Sequence, residues 1–350
     1  MGGAAAPAHP APPDERLARV GAVARLFQRP EIGSLVGVAA VFVIFTITSS
    51  SFATLTGAAL WTDEASNIGI MAVAVALLMI GGEFDLSAGV MVGSSGLLLG
   101  LLITRADMNV WFAIAIVLLF GLGIGLINGL LVVTTRLPSF IVTLATFFIL
   151  QGINLGGTLN ITGAVYISDL DKGAGYDSAR KIFAATFWEP YEFTVRVIWW
   201  IALTVVATWI LSRTRVGNWI FAVGGDAVAA RNVGVPVRPT KIGLFMTTST
   251  MASLLGIMTA IQLRSIQAGE GIGREFQFII AAVVGGCLLT GGYGSAIGAS
   301  LGALIMGMAI TGIPFSGWNS DWQFLFLGVI LLIAVLLNSF IQRRAGQSRQ

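Results

Sequence analysis

Two carboxylates, Glu83 and Asp85, sit in the stretch GGEFDLS at 81–87, between two apolar runs. A carboxylate at the centre of a bilayer costs roughly 2.5–3.5 kcal/mol on insertion scales, so it persists there only with a partner or with water. Two roles are open to Asp85. It can line or couple a translocation path. It can also act locally, since Asp85 or Ser87 can bond the free N–H groups that open a helix near 87. Both can hold together. Further along, Ser139, Thr143, Thr146 and Asn154 fall along one helical face, with Gln151 nearby. Such a stripe can hydrogen-bond the hydroxyls of a substrate in passing, or hold two helices together. Thr247, Thr248, Ser249, Thr250 and Ser253 carry the same ambiguity. Asn128 and Asn338 read as interhelical contacts.

No grouping offers catalysis. The one Cys, Cys287, lies inside an apolar run, and the one His, His9, lies in a Pro/Ala-rich stretch. A His/Cys metal site, an intramolecular disulfide and Ser–His chemistry are thereby excluded. The lysines are Lys172, Lys181 and Lys241, and none follows a Gly in a Walker-type Gly-Lys-Ser/Thr. The expectation is a chain without catalytic residues, metal or cofactor, and not an enzyme. If ATP drives it, another subunit binds the nucleotide.

The stretch AVGGDAVAARNVGVPV at 222–237 carries a different signal. Gly224 and Gly225 suit a turn, Asp226 suits an N-cap, and Ala229, Ala230 and Arg231 suit a short helix. Gly234 then suits its C-terminal stop. A short capped helix between two spans can fit a groove on a soluble partner and pass on rigid-body motion. It can also be a surface helix with no partner.

The elements that position these residues are membrane helices. Of 350 residues, 56% are hydrophobic and only 11% charged, with mean hydropathy +0.87. Soluble domains typically carry about 25% charged residues, so most of this surface must face lipid. The apolar runs are continuous rather than alternating, which argues against a sheet-only architecture. The expected fold is all-α: a polytopic transmembrane bundle of about ten spans, at 33–50, 67–80, 87–103, 110–133, 139–157, 196–211, 241–263, 276–289, 295–313 and 322–341. The segment 31–342 is the membrane unit. Residues 1–30 read as a disordered tail followed by an interfacial amphipathic helix, and 343–350 as a tail. With both termini cytoplasmic, thirteen of the twenty Lys and Arg fall inside. A long loop at 158–195 then lies outside and a basic loop at 212–240 inside. The net charge of +3 gives no argument for nucleic acid.

The spans at 67–80 and 276–289 are too short for a ~30 Å hydrocarbon core and run into Gly-rich stretches, 81–87 and 285–295. Irregular backbone at membrane depth survives only when buried in protein or lining a wet cavity. Broken helices beside a polar pathway are therefore expected, with ordinary cytoplasmic turns as the alternative. Gly121, Gly125 and Gly129 form one small-residue stripe and Gly294, Gly298 and Gly302 another, both suited to helix contact.

Four stretches in order, GGEFDLSAG at 81–89, LPSFIVTLATFFILQG at 137–152, AVGGDAVAARNVGVPV and VVGGCLLTGGYGSAIGASLGA at 283–303, resemble the permeases of ribose-, xylose- and arabinose-type ABC importers. The resemblance runs from about residue 35 to 340. It implies a multi-pass protein of the bacterial cytoplasmic (inner) membrane that translocates a monosaccharide. It implies a homodimer of permeases, an ABC ATPase subunit carrying ATP and Mg2+, and an extracytoplasmic sugar-binding protein. The loop around Asp226, Ala229, Ala230, Arg231 and Gly234 would then dock into the ATPase. Many such permeases have one residue fewer between Gly-Gly and Asp, which leaves the depth of Asp85 open. Nucleosides, branched-chain amino acids or a furanose signal molecule are alternative cargoes. An ion-coupled secondary transporter is the alternative of another class, with Glu83 and Asp85 as its candidate ion-binding groups.

Overall fold

The computed structural model describes residues 30–347, with side chains from 31 to 336. The amphipathic helix and tail expected before residue 30 lie outside the described residues. The chain runs through α1 (Pro30–Thr48), α2 (Leu55–Ile80), α3 (Ala88–Thr104), α4 (Val110–Thr135) and α5 (Ser139–Gly152). A π-helical segment, Ile153–Gly157, joins α5 to α6 (Thr158–Thr162) as one rod. Then come α7 (Tyr176–Phe183), α8 (Val195–Arg213), α9 (Arg215–Gly225) and α10 (Ala227–Asn232). The chain continues with α11 (Val237–Leu263), α12 (Arg274–Val284), α13 (Ala296–Phe315) and α14 (Trp322–Gln347). Strands among the described residues are two-residue pairs in loops, Tyr166–Ile167 with Ile266–Gln267 and Thr186–Phe187 with Phe193–Thr194.

Among the described residues, seven helices are long and apolar enough to cross a membrane. The shorter apolar helices α3 and α14, together with α12, complete the all-α bundle of about ten spans expected from the sequence. α2, α11 and α13 are mostly buried, whereas α1, α4, α5 and α8 leave broad apolar faces open, as a lipid-facing ring requires. Small residues set the close approaches. A Cβ on Gly125 would lie 2.6 Å from the Phe245 carbonyl oxygen, and one on Gly129 would lie 2.8 Å from Ile242 Cα, so α4 rides directly on α11. Gly298 and Gly302 seat α13 on α12 in the same way, but Gly294 belongs to the preceding break.

Both breaks are present, and they share one geometry. After α2, Glu83 N donates to Leu78 O at 3.1 Å and Gly82 N to Met79 O at 2.9 Å. After α12, Cys287 N donates to Ala282 O at 3.0 Å and Gly286 N to Val283 O at 2.9 Å. Gly82 and Gly286 sit at φ +81° and +90°. This is the Schellman stop, in which a glycine in the left-handed region lets the chain satisfy the last helical carbonyls. The succession helix, helix, Gly-Gly break, helix, helix occurs twice, in α1–α4 and α11–α14, and the second break is the longer of the two.

The sequence reading places a span only at 67–80. The structure extends that helix back to Leu55, giving 26 residues, so α2 is a full span and not a half-length one. Its N-terminal half carries Asp63, Glu64, Ser66 and Asn67, which lower its apparent apolarity. It holds because Asp63 is satisfied: Arg196 Nη2 lies 2.6 Å from Asp63 Oδ2, and Thr194 Oγ1 donates to Asp63 Oδ1 at 2.6 Å. The second short span is shorter still, 11 residues in α12, about 16 Å at the helical rise. The rod from α5 runs to Thr162 rather than 157, and α14 continues as helix to Gln347, through most of the expected tail.

Arg196 is buried and its partner is one carboxylate on another helix. Replacing Arg196 by Met strands Asp63 and should destabilise the bundle by about 3 kcal/mol. Denaturation in detergent checks this, and the pair Asp63→Asn with Arg196→Met should recover part of the loss.

Candidate functional site

In the first break, 81–87, the amides of Gly81, Gly82 and Glu83 return to α2 carbonyls, and those beyond them need other acceptors. The hydroxyl stripe of α5 supplies two. Phe84 N donates to Ser139 Oγ at 3.0 Å, and Leu86 N donates to Thr143 Oγ1 at 3.0 Å. Asp85 serves the next turn: its Oδ1 accepts from Ser87 N at 2.8 Å and from Ser87 Oγ at 2.5 Å. Ser87 stands at the N-cap position of α3, yet its side chain makes no cap bond. It is committed elsewhere. Asn128 Nδ2, from α4, donates to Ser87 Oγ at 3.1 Å, and Thr146 Oγ1 donates to Asn128 Oδ1 at 2.6 Å.

The result is one buried polar chain, Asp85–Ser87–Asn128–Thr146, joining the break to α4 and α5. Asp85, Ser87, Asn128 and Thr143 are all essentially closed to solvent. Gln151 and Asn154 do not share this chain. They lie on the following turns, with Gln151 half-buried and Asn154 buried in the π segment. Asp85 Oδ2 and Asn154 Nδ2 find no protein partner. Asn128 belongs at the centre of the site, and its sequence signal was a lone amide among apolar residues. Ser249, on α11, is buried with an unpartnered Oγ, while Thr247 and Thr250 bond carbonyls of their own helix.

The loop at 212–240 is built from two helices. α9 ends in Gly224 and Gly225, so the Gly-Gly pair closes a helix rather than standing in an open turn. Asp226 then caps α10: its Oδ1 accepts from Val228 N at 2.8 Å and Ala229 N at 2.9 Å. Gly234 reverses the chain at φ +86°. Val228, Ala229, Arg231, Asn232 and Val233 are exposed, with Val228 and Val233 at 69% and 79%. Ala230 turns inward instead, packed with Val223 and Val237. The outward face of α10 thus offers apolar side chains beside one cation.

At the opposite end of α3, a polar hollow of about 430 Å³ opens among Arg105, Asp107, Tyr166, Asp169 and Lys172. Lys172 Nζ lies 2.8 Å from Asp169 Oδ1. That hydrogen bond and charge hold the Asp169 carboxyl below its ordinary range and the Lys172 ammonium above it. Among the described residues no three His, Cys, Asp or Glu side chains gather as metal ligands.

Thr143 is a test of the polar scaffold. Thr143→Val leaves Leu86 N–H buried without its acceptor, which should cost about 1–3 kcal/mol. Thr143→Ser keeps the hydroxyl and should stay within about 1 kcal/mol of the parent. Thermal denaturation of the detergent-solubilised protein separates them.

The sequence relatives agree with this architecture. A family profile described as "Branched-chain amino acid transport system / permease component" (BPD_transp_2) matches residues 57–335. The inner membrane ABC transporter permease protein YjfF of Escherichia coli (strain K12) is 31% identical over 79% of this chain and 81% of its own length. The ribose import permease protein RbsC of the same strain is 29% identical, over 87% and 92%. The galactose/methyl galactoside import permease protein MglC is 34% identical, over 77% and 82%. No solved structure shows a significant match. The chain is a multi-pass membrane protein and belongs to the BPD_transp_2 family of transport-system permease components.

Proposed function

We propose that this chain is the membrane-spanning subunit of an ATP-driven importer of a monosaccharide. Relatives named for a cargo include import permeases of ribose, galactose/methyl galactoside and fructose. The observation that carries the reading is α10. It is a capped, outward-facing helix between two membrane spans, and its stem lies against both breaks of the buried core. A separate ATPase subunit binding ATP and Mg2+ would grip Val228, Arg231 and Val233, with Gly224, Gly225, Asp226, Ala229 and Gly234 shaping the loop and Ala230 anchoring it. An extracytoplasmic binding protein would deliver the sugar. A second copy of the permease would complete the membrane core.

Translocation in this reading passes the first break, along Asp85, Ser87, Thr143, Thr146, Gln151 and Asn154. A second cargo reading has its own support: the family description itself names branched-chain amino acids. Calorimetry on the partner binding protein decides between them. Tight binding of leucine or valine and none of pentoses or hexoses would overturn the sugar assignment.

Arg231→Glu reverses the one charge on the exposed face of α10. It should lower uptake by about tenfold and weaken stimulation of ATP hydrolysis by the loaded binding protein, with the melting temperature unchanged. Unaltered stimulation in reconstituted liposomes would remove Arg231 from the docking face. The isolated chain should neither bind ATP nor transport, and uptake driven by a proton or sodium gradient alone would point to a secondary transporter.

A further inference from the structure

The stretch 222–241, from the end of α9 through α10 into the first turn of α11, is fastened to the first break at both of its ends. Near its start, Gly224 lies so close to α2 that a Cβ would overlap the Ile80 carbonyl oxygen. A Cβ on Gly82 would lie 3.3 Å from Gly224 Cα. At its end, Lys241 Nζ pairs with Glu83 Oε1, and the two side chains are only 21% and 8% exposed. One turn further on, Leu244 covers Gly81.

The second break closes the same joint. Gly292 N donates to Ile80 O at 2.8 Å. A Cβ on Gly291 would lie 2.8 Å from both Gly224 O and Gly82 Cα, and one on Gly292 would lie 2.8 Å from Gly225 Cα. Gly291 and Gly292 take φ of +81° and +72° to make this approach. They lie in the part of 285–295 by which the second break exceeds the first. Three strands of backbone therefore touch with no side chain between them. Such a contact has little compliance, because rotamer changes cannot absorb a displacement.

We propose that this joint is the transmission element of the transporter, with the Glu83–Lys241 pair as its positioning residues. It makes the loop 222–241 and both breaks move as one body. A shift of α10 reaches Phe84 and Leu86, and through their bonds to Ser139 and Thr143 it reaches α5. Asp85, held to Ser87 within the same break, moves with it. The inference rests on the importer reading above.

The test uses the complete complex in liposomes, with the binding protein loaded with its sugar. Lys241→Glu sets two carboxylates against each other and should open the joint while α10 stays intact. The ATPase should still co-purify in the parent ratio, but stimulated hydrolysis and uptake should fall about tenfold, the scale of a coupling carried by one buried contact. The exchange Glu83→Lys with Lys241→Glu should restore both. Gly291→Ala, which wedges a methyl group between Gly224 and Gly82, should reproduce the uncoupling without touching the ion pair. Full stimulation and uptake in both Lys241→Glu and Gly291→Ala would overturn the proposal. So would a folded exchange variant of parent melting temperature that recovers neither. If the unaltered complex shows no stimulation by the loaded binding protein, the importer reading fails first and the joint fails with it.

Discussion

A backbone amide at membrane depth must have a partner, and the first break depends on that constraint throughout. With α2 ending at Ile80, the amides of Gly81, Gly82 and Glu83 fold back onto its last carbonyls, and those of Phe84, Leu86 and Ser87 take side-chain acceptors. Water cannot satisfy those groups if the segment is buried, and the cost of leaving them unpaired is several kcal/mol each in hydrocarbon. The Schellman stop answers the carbonyls of α2, α5 hydroxyls answer Phe84 and Leu86, and Asp85 answers Ser87. The position of α5 against α3 follows from these bonds more than from apolar packing, since most of the α5 surface faces outward. The polar stripe is thus first of all what allows the break to exist.

Much of this was legible from residue order. Continuous apolar runs marked the helices of an all-α bundle, because a helix satisfies its own backbone in lipid, and the Gly-Gly pairs marked both stops because a left-handed residue there admits glycine most cheaply. Asp226 and Gly234 framed α10 by ordinary capping chemistry. Illegible were the features made by distant partners. The expected span began only at 67, because Arg196, the residue that makes Asp63 tolerable in the first half of α2, is far away in sequence. Lys241 reads as a cation at the cytoplasmic end of a span until Glu83 is seen beside it. Ser87 looked like a cap, and only the approach of Asn128 shows its hydroxyl to be committed inward. Local pattern reports the period of an element and its ends. It is silent on which of several polar residues will find one another across the bundle.

The two breaks also divide their work. The first is short, carries both carboxylates and is bonded tightly to α4 and α5. The second is longer, carries no acid, and uses its extra residues to reach the first break and the stem of α10. A bundle whose helices were all continuous would have to slide whole spans past one another to change state. Here the irregular segments meet at one place, where backbone touches backbone.

That arrangement bears on how firmly any substrate can be held. Along the first break nearly every buried polar group is already paired within the protein, and the exceptions at the path candidates are Asp85 Oδ2 and Asn154 Nδ2. A polyhydroxylated substrate gains affinity by meeting free, preorganised donors and acceptors, and loses it when it must displace existing bonds. With so few groups free, this interior favours passage over retention. Selectivity would then have to be imposed before the substrate reaches the break. That is a physical reason for a carrier of this build to work with a separate binding protein, and for its own polar residues to be spent on holding the backbone open.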